Sequence, residues 1–247
     1  MKNFSRLICL AIFCLNFAAH AQSGAPSGPS FDAATSKLFG DNQTFSAAME
    51  LQTTDPQKGD AVTIPGKMTF DAGKSRFEMD MTQMKSSRLS PDEAAQMKQM
   101  GIENIVTISR PDKKISYLIY PGLQSYVENP VETSDAAATP ADFKIESTEL
   151  GRETIDGHPC VKDEVVITDK QGNKHEATVW DATDLKNFPV KIQLTGENEA
   201  TMTFKNISFD KPAADAFDPP AGFTKYDSVQ SMMTAQIMKQ MGGLLGH

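Results

Sequence analysis

The sequence predicts a mainly β protein with a few helices: a curved antiparallel sheet, or unclosed β-barrel, with a helical lid. Three observations lead there. Residues 174–209, KHEATVWDATDLKNFPVKIQLTGENEATMTFKNISF, hold three successive runs of two-residue alternation. Val190, Ile192 and Leu194 fall on one face and Lys191, Gln193 and Thr195 on the other, the period of a strand with one apolar and one wet side. About ten such runs recur along the chain between Gly, Pro, Asp and Asn turn signals, against three short helical stretches. Those helices carry narrow apolar stripes, which suits them to plug a sheet too large to stay flat.

The chain opens MKNFSRLICLAIFCLNFAAHAQ. Lys2 and Arg6 precede an apolar run from Leu7 to Ala19, and Ala19-His20-Ala21 supplies the small residues of a cleavage site. Residues 1–21 are therefore expected to be a secretory signal peptide cut after Ala21, and the protein to be periplasmic or secreted. The run is too short for a good spanning helix, and Phe13 before Cys14 does not suit lipid attachment. The mature chain would lose Lys2 and Arg6 and carry a net charge of −10, against −8 for all 247 residues. A chain so acidic has no overall electrostatic reason to seek nucleic acid or anionic headgroups. Only Cys160 would remain, so no internal disulfide can form and the fold must stand on its core.

In chain order, residues 22–43 read as a flexible Gly/Ser/Pro leader and a short helix, FDAATSKLF, capped by Ser30 and ended by Gly40. Residues 44–226 read as one incomplete-barrel domain. Its first strand spans Thr44–Thr54, with Phe45, Ala47, Met49 and Leu51 on one face. A hairpin follows, with Met68 and Phe70 on one arm and Phe77, Met79 and Met81 on the other. Ser90-Pro91-Asp92-Glu93 opens a helix, PDEAAQMKQM, that stops at Gly101. Ser is its cap, Pro takes the first turn, and Glu stands three residues after the cap. Ala94, Met97 and Met100 give it one narrow stripe, placing it as a flap across the concave side. The runs IVTISR, ISYLIY and LQSYVE come next, Ile115–Tyr120 apolar enough to be covered on both faces.

Asn129 to Asp142 reads as a surface linker between two halves of the sheet. The second half starts with FKIESTEL, turns between Gly151 and Pro159, and continues with VKDEVVIT into the stretch quoted above. A change of parity between Phe204 and Ile207 predicts a bulge near Lys205-Asn206, and Pro219-Pro220 excludes DAFDPPAGF from the sheet interior. Residues 227–247 read as a Met-rich amphipathic helix, capped by Asp227 or Ser228 and running to Gly242-Gly243.

Nine of the twelve methionines beyond Met1 fall in the first-half hairpin, the flap or the last helix. Methionine is the adaptable apolar side chain, favoured where a surface re-packs around variable partners. Phe45, Met49, Met68, Phe70, Phe77, Met79 and Met81 are accordingly expected to line a hydrophobic cavity, with Met97 and Met100 as its movable cover. His158, Cys160 and His175 raise a metal or thiol alternative, but neither they nor Asp163 and Glu164 have the spacing of a closed site. Asp181 and Asp184 read as turn and cap residues, and Trp180 and Tyr117 as core. No nucleophile elbow, zinc helix, phosphate loop or dinucleotide fingerprint occurs.

EATVWDATDLKNFPVKIQL followed by TMTFKNISFDKPAADAFDPPAGF resembles the second half of the bacterial periplasmic lipoprotein carriers (LolA) and their relatives. The matching positions are Trp180, Asp181, Pro189, Phe217, Pro220 and Gly222, with Gly66 and Lys74-x-Arg76 compatible in the first half. ELGRETIDGHPCVKDEVV resembles an uncharacterised group of exported bacterial proteins near that superfamily. The resemblance implies an unclosed barrel with a helical lid, holding acyl chains or an amphipathic partner. Arg76 lies near, but displaced from, the carriers' lid-locking arginine, and the Met-rich last helix is outside their pattern. The expectation is a non-enzymatic binding protein without cofactor or metal that holds an acyl chain, lipid or lipoprotein. The alternative is an envelope interaction or stress-regulator module with a filled core and no ligand, docking a protein through its C-terminal helix.

Overall fold

The computed structural model describes residues 33–54, 59–86, 89–130, 143–196 and 199–245. The expected signal peptide and leader, and the expected linker past Pro130, lie outside the described residues. Twelve strands join in one sheet: β1 (Thr44–Thr54), β2 (Ala61–Asp71), β3 (Lys74–Asp80), β4 (Asn104–Arg110), β5 (Ile115–Tyr120), β6 (Ser125–Pro130), β7 (Lys144–Ile155), β8 (His158–Thr168), β9 (Lys174–Ala182), β10 (Phe188–Leu194), β11 (Ala200–Ser208) and β12 (Thr224–Tyr226). Their order across the sheet is β12-β6-β5-β4-β3-β2-β1-β11-β10-β9-β8-β7. Two antiparallel meanders thus meet where β1 pairs with β11. Twelve strands about 4.8 Å apart would make a flat sheet about 53 Å wide, and the twist of each strand curls so large a sheet instead. It stays open, with β7 and β12 at its edges.

Alternation sorts side chains onto two faces. The inner face carries the main core: Phe45, Met49 and Leu51 of β1, Phe70 of β2 and Phe77 of β3, continued by Phe204 of β11 and Ile192 of β10. Three helices pack on it. Helix α1 (Ala33–Lys37) leads into Leu38 and Phe39, which join that core, while α2 (Pro91–Met100) and α3 (Val229–Leu245) cover β4 and β5. On the outer face of β4 and β5, Val106, Ile108, Tyr117 and Ile119 lie beneath Phe217. Strand β5 is therefore covered on both sides, as its composition predicts. Phe217 belongs to the 209–223 segment, which Arg110 holds down by donating to the Asp218 carboxylate at 2.7 Å and the Phe217 carbonyl at 3.3 Å.

Local chemistry sets the α2 boundaries as expected. The Ser90 hydroxyl accepts from the Glu93 N–H at 3.3 Å and the Glu93 carboxylate accepts from the Ser90 N–H at 2.8 Å. Gly101 ends the helix with φ at 69°. Gly101 also touches Gly122 so closely that a Cβ on the latter would stand 2.5 Å from the Gly101 carbonyl oxygen, which seats the flap's end on the β5–β6 turn.

Three sequence expectations need correcting. Gly151 does not begin a turn. Beside it the β7–β8 register shifts at a bulge, and the strand runs on to Ile155, with the turn at Asp156-Gly157. Both turn residues have positive φ, 49° and 90°, as a two-residue hairpin requires. Helix α3 continues through Gly242-Gly243 to Leu245, with Ser228 rather than Asp227 accepting at its start from the Ser231 N–H. Strand β12, which the sequence reading did not foresee, pairs parallel with β6. The expected bulge by Lys205-Asn206 is present: the β1–β11 register shifts between Ser46 and Ala48, and Asn206 has φ at 52°.

Candidate functional site

The inner face brings the expected lining residues together in two connected groups. Phe45, Met49, Met68, Phe70, Phe77 and Met79 belong to the main core, and each is at least nine-tenths buried. Phe39 joins the same core, fully buried: it stacks on Phe45 at 4.8 Å between ring centres and lies 6.4 Å from Phe70, 5.4 Å from Phe188 and 5.5 Å from Phe204. Edge-to-face and offset pairs at these separations are favourable arrangements for ring quadrupoles. The second group lies under the helices. There Met97 of α2 and Met232 of α3 are buried with Ile102, Leu118 and Tyr120, while Met100, Val229 and Met233 are half-buried against them.

Met81 borders both groups, as does Ile105 of β4. The boundary between the sheet core and the helix-covered region is thus formed by one thioether and one aliphatic side chain. The flap reaches into it with Met97 as its buried residue. Phe39, Ile105, Leu118 and Tyr120 were not among the expected lining. Tyr120 and Leu118 could have been found by giving the fully apolar run Ile115–Tyr120 a face for each alternate residue. Phe39 carried no sheet periodicity to mark it.

Arg76 does not lock the flap. Its β3 position turns it to the outer face, where its Nε donates to Glu78 at 3.0 Å and its Nη1 to the Ala216 carbonyl at 3.1 Å. On α3, Ile237 and Met238 are exposed, at 58% and 68%.

The rival chemistry disperses. Cys160 is 2% exposed, and its thiol donates to the His158 carbonyl at 3.3 Å; burial pushes its pKa up, away from thiolate reactivity. His175 pairs with Ile167, seven positions along β8 from Cys160, roughly 24 Å away at strand rise. His158 is tied instead to Asp184 at 2.9 Å. Among the described residues no three His, Cys, Asp or Glu side chains group to hold a metal.

Asp181 is not a turn residue as expected. It sits within β9 opposite Val161 and Pro189, and burial together with neighbouring Asp163 pushes its pKa up to about 7. Trp180 is buried, with the Lys162 and Lys191 ammonium groups 5.1 and 4.3 Å from its ring centre and its N–H donated to Glu153 at 3.1 Å.

Comparison with solved structures finds several at low sequence identity. An uncharacterised conserved protein from Thermus thermophilus matches at 9% identity and a TM-score of 0.43, over 77% of this chain and 94% of its own. A LolA superfamily protein from Nitrosomonas europaea matches at 9% and 0.41, over 75% and 97%. The lipoprotein LppX of Mycobacterium tuberculosis matches at 12% and 0.40, over 74% and 100%. No curated protein matches the chain in sequence. Residues 45–188 match the model of a domain of unknown function, DUF4412, and the chain belongs to that family.

Proposed function

We propose that the protein is a non-enzymatic envelope binding protein that holds a hydrophobic moiety, an acyl chain of a lipid or lipoprotein, on the inner face of the sheet beneath α2. The carrying observation is the soft boundary at Met81, where the sheet core and the helix-covered region share side chains that re-pack by rotation. An acyl chain entering there would displace Met97 and Met100 and run toward Met79. Burying ten methylenes contributes about 8 kcal/mol gross, whereas fully exposing both methionines costs about 3–6 kcal/mol. Binding an acyl chain can therefore offset the cost of lifting the flap. The signal-like start of the chain and the likeness of its second half to the lipoprotein carriers support the same reading.

The test is native mass spectrometry of Gln22–His247 purified from a periplasm without detergent. Extra mass that solvent extraction removes and identifies as acyl lipid supports the proposal. In the double variant Met97→Asp/Met100→Asp that mass should vanish while circular dichroism keeps its strand signal. A bare polypeptide mass, unchanged after incubation with envelope lipids, would sink the lipid-holding reading.

The exposed Ile237 and Met238 favour a second reading, a protein partner docked on the distal part of α3. Because Met232 in the same helix is fully buried, deleting the helix would strip the core. The discriminating variant is Ile237→Asp/Met238→Asp. It should abolish partner binding and leave lipid retention intact if this second reading holds.

A further inference from the structure

Strand β7 forms one edge of the sheet, and its far side pairs with no strand among the described residues. It is 12 residues long, against 3 in β12 at the opposite edge, and none of its residues is buried. Ile145 and Leu150 on it are 41% and 53% exposed; among the described residues the only other large hydrophobic side chains so open are Ile237 and Met238 of α3. A long open edge of this kind is a template for a further strand.

The β7–β8 hairpin fixes which backbone groups of β7 are free. Its two-residue turn makes Ile155 and His158 a hydrogen-bonded pair, and such pairs alternate with non-bonded ones along the ladder. Glu153 and Gly151 therefore bond to β8, whereas Thr154 and Arg152 turn their N–H and C=O outward. The bulge then leaves Leu150 without a partner and Glu149 opposite Asp163, the residue after Lys162. Because Lys162 bonds to β7, Asp163 does not, so Glu149 points outward, followed by Ser147 and Ile145. The faces follow from the same count. Ile145, Ser147, Glu149 and Arg152 hold inner-face positions, and Lys144, Glu146, Thr148, Gly151 and Glu153 outer-face ones.

We propose that this edge is a homodimer interface, in which β7 pairs antiparallel with β7 of a second copy about a twofold axis at Thr148. With Leu150 outside the ladder in both copies, Thr148 meets its own counterpart, Ser147 meets Glu149, Glu146 meets Gly151, Ile145 meets Arg152 and Lys144 meets Glu153. Every pair joins positions on the same face. The hydrogen-bonded pairs, Ser147 with Glu149 and Ile145 with Arg152, each join two residues whose backbone groups point outward. No pair sets like charges opposite, and the Lys144–Glu153 pair, present twice by symmetry, joins opposite ones. The Glu153 carboxylate is already held beside the edge by the Lys162 ammonium and the Trp180 N–H. An axis at Glu149 would set two carboxylates face to face, and one at Ser147 would lose both Lys144–Glu153 pairs. A bulge and an edge lysine discourage a foreign strand, whereas a second copy carries the same bulge at the matching place. The stem of Arg152 would cover the exposed Ile145. This interface does not depend on the acyl-chain reading, because the flap covers β4 and β5 in the other meander.

The experiment follows Gln22–His247 by sedimentation velocity at rising concentration, where a monomer–dimer equilibrium is the expected result. Ser147→Pro removes two outward N–H donors per dimer and none that bonds to β8, so it should weaken association about tenfold or more. Thr148→Cys should form a disulfide-linked dimer on air oxidation, because a non-hydrogen-bonded pair on the axis brings the two Cβ atoms within bridging range. Thr154→Cys, on the same strand but away from the axis, should not, and the buried Cys160 stays out of the reaction. A chain that remains monomeric to about 0.5 mM overturns the proposal. So does a dimer indifferent to Ser147→Pro, or equal cross-linking of the two cysteine variants.

Discussion

Replacing Phe39 by alanine should unfold much of what holds the two halves of the sheet to their plug. The side chain is fully buried, and its ring contacts Phe45 of β1, Phe70 of β2, Phe188 of β10 and Phe204 of β11, at centre distances from 4.8 to 6.4 Å. Removing a buried phenyl ring costs about 3–5 kcal/mol, the upper part of that range applying where neighbours cannot collapse into the space. Here all four neighbours stand on strands or strand starts fixed by ladder hydrogen bonds, so a loss of about 4 kcal/mol is expected. For a protein of this size the melting midpoint would drop by about 8–16 °C. Equilibrium urea unfolding followed by circular dichroism measures the change, with an unaltered slope showing that the unfolded state is the same. A loss under about 1 kcal/mol would refute the claim that Phe39 anchors this core.

Asp181 gives a pH dependence of unusual sign for an aspartate. Its native pKa of about 7 lies above the unfolded value, so the native state keeps a proton that the unfolded chain has lost. Stability from this group is greatest below about pH 4, falls as pH rises toward 7, and is flat above. Asp181→Asn should therefore stabilise the protein by about 1–3 kcal/mol at pH 8 and hardly at pH 4, after allowing for partial exposure; equal gains at both would contradict it. In Gly66→Ala the new Cβ would stand 2.5 Å from the Glu78 carbonyl oxygen, so β2 and β3 must part, at a cost of about 1–3 kcal/mol by urea titration. An unchanged midpoint would show that the strands yield freely. Cys160 should resist an aromatic disulfide reagent in the native protein and react fully in urea, and rapid native labelling would mean that β8 opens at this end.

Much of the fold was legible where a local rule and the tertiary fold agree. The alternation of Thr44–Thr54 marked β1, and Ser90, Pro91 and Glu93 marked α2, because each signal is complete within a few residues. The β7 extension past Gly151 was hidden because a bulge and a turn share the same glycine-bearing composition. Strand β12 has three residues and acquires its ladder only from β6, about a hundred positions earlier, so no local period could announce it. Of the candidate lining, the shared inner face of Phe45, Met68 and Phe77 followed from parity. The filling of its centre by Phe39 did not, because Phe39 follows a five-residue helix whose placement is decided by what it touches. The face occupied by Arg76 followed from parity too, but its bond to the Ala216 carbonyl depends on how a distant loop returns.

The seam between β1 and β11 bears on how the molecule is made. Ser46 meets Ser208, so the first strand acquires its second neighbour only when the eleventh has been delivered. Every other antiparallel pair in the sheet joins strands consecutive in sequence and can zip from a connecting segment. The seam alone pairs segments separated by most of the chain, the kind of contact that slows folding. Two meanders can therefore form early, each with a raw inner face, and wait for one late closure. During that interval the unpaired edge of β1 is the place where a chaperone, or another unfinished copy, would find the chain open.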